Sequence, residues 1–278
     1  MIFYYVFKLL VQYFLFLYIS LIVLLYFFQR KLIYKPDKKK KDKSRYPSLP
    51  EGTENIIIPS KYPLQAFYLR QDSSFFTILF LHGNSGLLED RIYKLKEFKK
   101  LSVNVLMISY RGFQGNKGNP SECGLYEDAF ASKNWLIENG TNPSHIILYG
   151  ESLGTAVAVH TAACSPPFAG VILESPFTSM EDMANLSYRI FFPKLFLQDR
   201  FTTIYKIDKI SCPILVMHGE NDKLVPFKMG KSVFEGAKYP KFFYQNNDGH
   251  MMQFGNDVMN VIQKFLSIVE SRPSMMVA

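Results

Sequence analysis

The alternation of apolar and polar stretches along the chain predicts strands that alternate with helices over most of its length. Short apolar or β-branched runs, typical of buried strands, recur between stretches where apolar residues return at helical spacing. The predicted strands cover residues 55–58, 64–69, 76–81, 103–109, 145–149, 170–174, 213–217 and 241–245. The predicted helices cover residues 90–101 with Asp90 as N-cap, 121–138, the stretch after Ser152, 228–236 and 256–270. This order indicates an α/β protein with a mostly parallel, doubly wound sheet.

Two segments break the alternation. Residues 9–29 are uncharged and rich in Leu, Phe, Tyr, Ile and Val, which is typical of a helix that crosses a bilayer. A cleaved signal peptide would have a shorter apolar core and a small-residue cleavage site, and a buried soluble helix would have a polar face. Residues 175–210 contain an aromatic-rich run at 188–197, which predicts a short cap helix over the sheet. Whether this cap also lines a pocket for an acyl chain stays open.

Most of the positive charge follows the apolar segment. Nine Lys/Arg and two Asp lie between Arg30 and Arg45, a net +7 of the formal +8 of the chain. The rest is close to neutral, which argues against a nucleic-acid binder, and a basic cluster after a membrane helix suits anionic headgroups. The positive-inside rule then places the following domain in the cytoplasm. Two glycosylation-type triplets, at Asn139 and Asn185, would favour the opposite side.

The predicted organisation is therefore a single-pass membrane protein. Residues 1–29 form a transmembrane anchor, residues 30–50 a basic juxtamembrane linker, and residues 51–278 the folded domain with its cap at 175–210. Three cysteines, odd in number and widely spaced, predict free thiols with neither a disulfide framework nor a zinc site.

The candidate chemistry lies at Gly150-Glu-Ser-Leu-Gly154, between a predicted strand and a predicted helix. Gly-x-Ser-x-Gly in that context is the pattern of a nucleophile elbow. A serine hydroxyl needs an adjacent base, and an imidazole in turn needs a carboxylate to orient it. Asp222 and His250 each come just after a predicted strand, and a parallel sheet brings such positions together. The chain order Ser152, Asp222, His250 is the order typical of this type of sheet.

Several stretches together resemble the serine α/β-hydrolases, and especially the membrane-anchored, single-domain hydrolases of the bud-emergence type. They are His-Gly-Asn-Ser-Gly at 82–86, Tyr-Arg-Gly-Phe at 110–113, Pro-Ser-Glu-Cys-Gly-Leu-Tyr-Glu-Asp at 120–128, Tyr-Gly-Glu-Ser-Leu-Gly-Thr at 149–155, Leu-Glu-Ser-Pro-Phe-Thr-Ser at 173–179 and Met-His-Gly-Glu-Asn-Asp at 217–222. The resemblance spans residues 50–270. It implies the α/β-hydrolase fold with Ser152 as nucleophile, His250 as base and Asp222 as orienting acid. It also implies an oxyanion hole made by the backbone N–H groups of Asn84 and Leu153.

Other polar residues near these strand ends are interpreted as structural. His82 is expected to shape the turn after its strand, and Arg111 to brace its loop through an ion pair. His218 and Asp248 are expected to play no direct part, and Glu151 either tunes the site or points elsewhere. The chain departs from its relatives at Phe113, Gln114, Asn116, Met251 and Met252, which are expected at the rim of the pocket.

The predicted function is a serine hydrolase that cleaves an ester or thioester, of a small molecule, a lipid or an acylated protein, through an acyl-enzyme. The predicted partners are that substrate and the membrane, which the N-terminal helix and the basic linker contact. No metal and no organic cofactor are predicted, since no Gly-x-Gly-x-x-Gly follows the first strand. Two alternatives stay open: a peptidase or amidase on the same fold, and a non-catalytic membrane-anchored scaffold.

Overall fold

A computed structural model describes residues 1–37, 46–72 and 74–272. The helices in this part of the chain are α1 Ile2–Ile33, α2 Ile92–Lys100, α3 Glu122–Glu138, α4 Leu153–Cys164, α5 Met180–Tyr188, α6 Phe227–Gly236 and α7 Asn256–Glu270. The strands are β1 Thr53–Ile58, β2 Leu64–Leu69, β3 Thr77–Leu81, β4 Asn104–Ile108, β5 Ile146–Glu151, β6 Gly170–Glu174, β7 Ile214–Gly219 and β8 Lys241–Asn246.

The strands form one sheet in the order β1-β2-β4-β3-β5-β6-β7-β8. Strands β3 to β8 are parallel, whereas β1 and β2 form an antiparallel hairpin at one edge, with β2 also antiparallel to β4. The register pairs Leu81 with Gly150 and Glu151 with Glu174. The carboxyl ends of β3, β5 and β6 therefore meet at one edge of the sheet, where ligands bind in folds of this kind. The predicted mostly parallel α/β-hydrolase sheet is confirmed.

Each face of the sheet carries its own apolar core. Helices α3, α4 and α6 cover one face, on which Leu125, Val157 and Val233 are fully buried. Helices α2 and α7 cover the other face, where Phe98 and Phe265 pack among strand residues. The central strands are buried on both sides, which explains why they read as continuous apolar runs in the sequence.

Two local predictions are wrong. Asp90 does not cap α2, because a 3₁₀ turn at Glu89–Arg91 precedes the helix and the Asp90 carboxylate accepts the backbone N–H of Leu87 at 2.8 Å. The cap helix is α5, before the aromatic run, and the run itself forms two 3₁₀ turns, Arg189–Phe191 and Pro193–Leu195. Phe192, with φ 50°, separates these turns, because a residue before proline is disfavoured in the right-handed helical region.

Helix α1 is long and apolar enough to cross a membrane, and none of its most apolar window is buried against the rest of the molecule. It extends to Ile33, beyond the predicted end of the anchor at residue 29. Part of the basic linker, Lys38, Lys39, Lys40, Lys41, Asp42, Lys43 and Arg45, lies outside the described residues. The division of the chain at residues 29 and 50 stays a prediction.

Candidate active site

Ser152 lies at the sharp turn between β5 and α4. Its φ of 51° and ψ of −115° place a non-glycine residue in a sparsely populated backbone region, which is the strain expected at a nucleophile elbow. The two glycines let strand and helix cross closely. A Cβ at Gly154 would lie 1.9 Å from the Leu81 carbonyl oxygen, and one at Gly150 would lie 2.5 Å from the Thr155 Cα. The turn sets Ser152 at the carboxyl edge of the sheet.

The three predicted catalytic side chains lie within hydrogen-bonding distance of one another. Ser152 Oγ is 2.9 Å from His250 Nε2, and His250 Nδ1 is 2.7 Å from Asp222 Oδ2. Each residue follows a different parallel strand, β5, β7 or β8, which is how positions remote in sequence meet. Because Nδ1 faces a carboxylate, it carries the proton of the neutral ring, and Nε2 is then free to accept the serine proton.

The Asp222 carboxylate is held in its charged form by its surroundings. Its Oδ1 accepts the backbone N–H groups of Leu224 at 2.8 Å and Val225 at 2.9 Å, and its Oδ2 lies 3.3 Å from His218 Nε2. Burial by itself would raise the pKa of Asp222, but the hydrogen bonds from His218, His250 and Val225 outweigh it and hold that pKa well below its usual value. An ionised Asp222 can orient the imidazole and stabilise its protonated form.

The two predicted oxyanion donors line the same cavity as Ser152. Leu153 is the first residue of α4, and the first N–H groups of a helix have no partner within it. Asn84 follows β3 and is fastened to the end of α1, since its Nδ2 donates to the Ile33 carbonyl and its own carbonyl accepts the Lys35 N–H, both at 2.9 Å. The role of these two residues as oxyanion donors stays a prediction.

A cavity of about 430 Å³ lies in front of Ser152, and we name it the front cavity. The cap forms one wall and the last turns of α1 form another. The apolar side chains of these two walls are Leu25, Leu32, Ile33, Phe177, Met180, Met183, Leu186, Pro193, Phe196 and Leu197. The sequence left open whether the cap lines a pocket, and it does. That the anchor helix also lines the pocket was not expected.

Four buried charged side chains lie behind the nucleophile, and we name them the charge cluster: Arg91, Lys94, Glu151 and Glu174. Lys94 Nζ binds Glu151 at 2.7 Å and Glu174 at 2.5 Å, and Arg91 Nη2 binds Glu151 at 2.5 Å. Two cations and two carboxylates leave the cluster neutral. Tyr149 donates its hydroxyl to Glu174 at 2.6 Å, which satisfies a further carboxylate oxygen.

The charge cluster touches three of the loops that form the candidate site. Glu151 accepts a hydrogen bond from the Gly83 N–H at 3.3 Å, and Arg91 donates one to the Ser85 carbonyl at 3.1 Å. Gly83 and Ser85 flank Asn84, the predicted oxyanion donor. Glu174 accepts the Met252 N–H at 3.4 Å, two residues after His250, and its carbonyl accepts the Ser152 N–H at 2.9 Å. The cluster thus ties the nucleophile turn, the loop after β3 and the histidine loop to one another.

The pKa values of the cluster follow from this pairing. Burial would raise the pKa of Glu151, but Arg91 and Lys94 outweigh it and hold that pKa well below its usual value. Burial would lower the pKa of Lys94, but its two carboxylate partners raise it. Arg91, Lys94 and Glu151 therefore stay ionised near neutral pH. The sequence analysis missed Arg91, Lys94 and Glu174. The available signal was a glutamate at the end of each of two adjacent parallel strands, which requires cations nearby.

The remaining polar residues have structural contacts. His82 is buried, with Nδ1 2.7 Å from the Gly83 carbonyl, and burial lowers the pKa of His82 to about 3. Arg111 binds Asp128 at 2.7 Å, which agrees with the expected loop brace. Asp248 accepts a hydrogen bond from the Gln253 N–H within its own loop.

The departures from the family pattern were expected at the rim of the pocket. None of Phe113, Gln114, Asn116, Met251 and Met252 is among the described residues that line the front cavity. Phe113 is buried against the His82 ring, and Met252 is buried in the core of the second face. His250, whose Nε2 is 2.9 Å from Ser152 Oγ, is also outside that lining, so a place at the rim stays a prediction. No group of three or more His, Cys, Asp or Glu within residues 1–37, 46–72 and 74–272 could hold a metal ion.

Comparisons with known proteins agree with this geometry. A sequence profile of the prolyl oligopeptidase family matches residues 122–268. An uncharacterized protein of Mycobacterium tuberculosis is 32% identical over 248 residues, which are 86% of this chain and 87% of that protein. Lysophosphatidylserine lipase ABHD12 of Danio rerio is 35% identical over 202 residues, 66% of this chain and 51% of the lipase. The chain thus spans about half the length of that lipase.

Among solved structures, the esterase Pf2001 of Pyrococcus furiosus superposes with a TM-score of 0.66 at 16% identity. The match covers 84% of this chain and 98% of the esterase. At this identity the likeness concerns the fold alone.

Proposed function

Because this chain belongs to the prolyl oligopeptidase family within the serine α/β-hydrolase superfamily, we propose that it cleaves a carboxylic ester or thioester. The observation that carries the proposal is the hydrogen-bonded series Ser152, His250 and Asp222 beside an apolar cavity. A relative that is named as a lysophosphatidylserine lipase supports an ester substrate.

The proposed reaction has two halves. His250 Nε2 takes the proton of Ser152 as Oγ attacks the acyl carbon, and the N–H groups of Asn84 and Leu153 bind the negative oxygen of the tetrahedral intermediate. The bond to the leaving group breaks, and that group receives the proton from His250. Water then gives a proton to His250 and attacks the acyl-enzyme, after which the proton returns to Ser152 as the acid is released.

The test is labelling by a fluorophosphonate probe together with hydrolysis of 4-nitrophenyl acetate. We expect both in the wild-type chain, and Ser152→Ala to abolish labelling and lower turnover by about 10⁴-fold or more. Ser267→Ala, on the exposed side of α7, is the matched control and keeps both. If the wild-type chain is not labelled by the probe and does not hydrolyse the ester, the proposal fails, and the non-catalytic scaffold is favoured instead.

The peptidase alternative is favoured by the name of the family profile. The front cavity favours the ester instead, because apolar side chains dominate its cap and anchor walls. Ester and peptide libraries assayed side by side decide between the two. Faster cleavage of amides than of matched esters, relative to their uncatalysed rates, would favour the peptidase.

We also propose that α1 anchors the chain as a single-pass membrane protein with the hydrolase domain on the cytoplasmic side. The basic residues that follow α1 support this orientation by the positive-inside rule. Protease treatment of sealed, right-side-out vesicles tests it, since a cytoplasmic domain stays protected until the membrane is opened. Digestion of the domain in intact vesicles overturns the orientation.

A further inference from the structure

The end of α1 forms part of the cavity in front of Ser152. Leu25, Gln29, Leu32 and Ile33 all line that cavity, opposite the cap. These residues recur at helical spacing, so one face of the last turns of the helix is turned towards the nucleophile. A helix that served only as a tether would have no such face.

Polar contacts fix this face against the cap. The Gln29 side chain donates to the Phe196 carbonyl at 3.2 Å and accepts the Gln198 N–H at 2.8 Å. Arg30 binds both carboxylate oxygens of Asp199, at 2.9 Å and 3.2 Å. Gln29 and Asp199 are almost fully buried. We name these contacts the anchor clasp.

The cap follows α1 towards the membrane. The Tyr18 hydroxyl donates to the Ile190 carbonyl at 2.6 Å, and the Tyr18 ring stacks on Phe191. A helix rises about 1.5 Å per residue, so Tyr18 lies about 16 Å from Gln29 along the axis, which is about the hydrocarbon thickness of one leaflet. The cap also carries large apolar side chains that are exposed: Leu186, Tyr188, Ile190, Phe192 and Leu195.

We infer that the last turns of α1 and the cap together form an acyl-binding channel that opens into one leaflet, and that the substrate is a lipid ester whose acyl chain enters from the bilayer. The inference rests on the proposed ester hydrolysis. The exposed apolar surface of the cap is covered by lipid, as expected for a patch beside a membrane helix. The occupant is an acyl chain because Leu, Ile, Met, Phe and Pro side chains make up most of the walls between lipid and Ser152, with the polar side chains of Gln29 and Ser187 among them.

The anchor therefore has two roles in the reaction. It holds Ser152 at the bilayer surface, and it supplies a wall against which the acyl chain lies during attack. A long chain gains from both roles, whereas a short chain gains from neither. The role as a wall can be separated from membrane partition, because a single substitution on α1 alters the cavity and leaves the anchor in place.

The experiment uses the full chain in lipid nanodiscs and two neighbouring substitutions. Leu25→Trp fills part of the channel, and Leu24→Trp places the same side chain on the lipid-facing side, since Leu24 is exposed and does not line the cavity. Activity is measured on 4-nitrophenyl acetate, butyrate, octanoate and dodecanoate. The readout is the ratio of kcat/KM in the wild type to that in the variant at each chain length, because partition into the bilayer cancels in that ratio.

We expect the ratio for Leu25→Trp to rise with chain length and to be about tenfold or more larger for dodecanoate than for acetate, which corresponds to the space of about two methylenes. The ratio for Leu24→Trp stays near one throughout. An equal ratio for all esters in Leu25→Trp, or the same pattern in both variants, overturns the inference. Loss of acetate hydrolysis and of fluorophosphonate labelling in the wild type would instead contradict the proposed function.

A second arm tests the source of the acyl chain. Long-chain monoacylglycerol is supplied within the nanodisc bilayer, and an S-acylated peptide of the same chain length is supplied in parallel. We expect hydrolysis of the monoacylglycerol, with the same sensitivity to Leu25→Trp. Hydrolysis of the acyl peptide alone overturns the assignment to lipid.

Discussion

The walls behind and in front of Ser152 are built on opposite principles. Behind it, the side chains of the charge cluster are at most 7% exposed and are held by ion pairs and backbone groups. In front, the cap and the end of α1 are apolar, and cap residues such as Ile190 and Leu195 are 69% and 80% exposed. The rear wall has many polar contacts per residue, whereas the front wall depends on the anchor clasp.

This difference assigns different tasks to the two walls. The rear wall contacts the loops of Ser152, Asn84 and His250, so a change there alters how these groups are placed. Apart from the bonds between Asn84 and the end of α1, the front wall contacts the space that the substrate would fill, so a change there alters which ester is accepted. Variants of the rear wall should therefore change the free energy of unfolding and kcat. Variants of the front wall should change the preference for acyl-chain length.

The largest effect is expected on stability when Lys94 is replaced. Lys94→Met leaves Glu151 and Glu174 buried with one cation, and breaking a buried ion pair costs about 3–5 kcal/mol of unfolding free energy. Thermal melts of the full chain in nanodiscs measure it. Lys100→Met, on the exposed end of the same helix, is the matched control and changes stability by less than about 0.5 kcal/mol.

If a second substitution recovers stability lost in Lys94→Met, the loss is due to unpaired charge and not to packing. Lys94→Met combined with Glu174→Gln leaves one cation and one carboxylate, and we expect it to recover part of the loss. A Lys94→Met variant as stable as the control would mean that the charge cluster does not hold the rear wall together.

The next effect concerns catalysis. Glu151→Gln keeps the size of the side chain but weakens its bonds to Arg91, Lys94 and the Gly83 N–H. We expect kcat for a short ester to fall by up to about a hundredfold through misplacement of the reacting groups, with KM nearly unchanged. Steady-state kinetics measures both, with Glu138→Gln at the exposed end of α3 as control. A rise in KM at constant kcat would assign Glu151 to substrate binding instead.

A smaller effect follows from pH, again at the rear wall. Burial lowers the pKa of His82 to about 3, whereas the unfolded chain protonates this side chain near pH 6.5. Below that pH the unfolded state binds a proton that the folded state rejects, so stability falls by at most about 1.4 kcal/mol per pH unit. The lowered pKa of Glu151 adds a further loss below about pH 4.3.

Melting temperatures of the wild type and His82→Gln between about pH 7 and pH 5 test the contribution of His82. We expect the variant to lose part of the pH dependence, whatever its stability at neutral pH. If the melting temperatures of the two proteins change equally with pH, the pKa of His82 is not lowered in the folded chain.

The smallest effect on stability is expected at the anchor clasp. Arg30→Gln removes an ion pair in which the arginine side chain is 47% exposed. Asp199 still accepts a hydrogen bond from the Glu122 N–H at 3.1 Å. Such pairs contribute less than about 1 kcal/mol to the free energy of unfolding. Arg189→Gln, an exposed cap residue, serves as control in the same melts. A loss as large as that of Lys94→Met would show that the two walls are not built differently.

The sheet and the candidate triad were accessible from the sequence because both depend on local patterns. Buried parallel strands read as apolar runs, and the loops after them carry Ser152, Asp222 and His250. The partners of Glu151 were not accessible, because no local pattern joins a strand end to Arg91, in the turn before α2, or to Lys94, on α2. The cap helix was misplaced, since aromatic residues at 188–197 suggested a helix that Pro193 interrupts.

The position of α1 was the least predictable feature. Its apolar composition predicted a helix long enough to cross a membrane, and α1 has that length. Composition carries no information about which folded surface the helix touches. The contacts of Gln29 and Arg30 join positions separated by 167 and 169 residues. Long-range polar pairs of this kind leave no periodic signal, so only the folded chain reveals them.

Asn84 is bound through its side chain and its carbonyl to Ile33 and Lys35 at the end of α1. A transmembrane helix changes its tilt when the bilayer becomes thinner or thicker. Through Asn84 such a tilt reaches the group proposed to stabilise negative charge. Turnover of even a short, soluble ester should then respond to the lipid length of the host membrane, and the enzyme would register the thickness of the bilayer in which it resides.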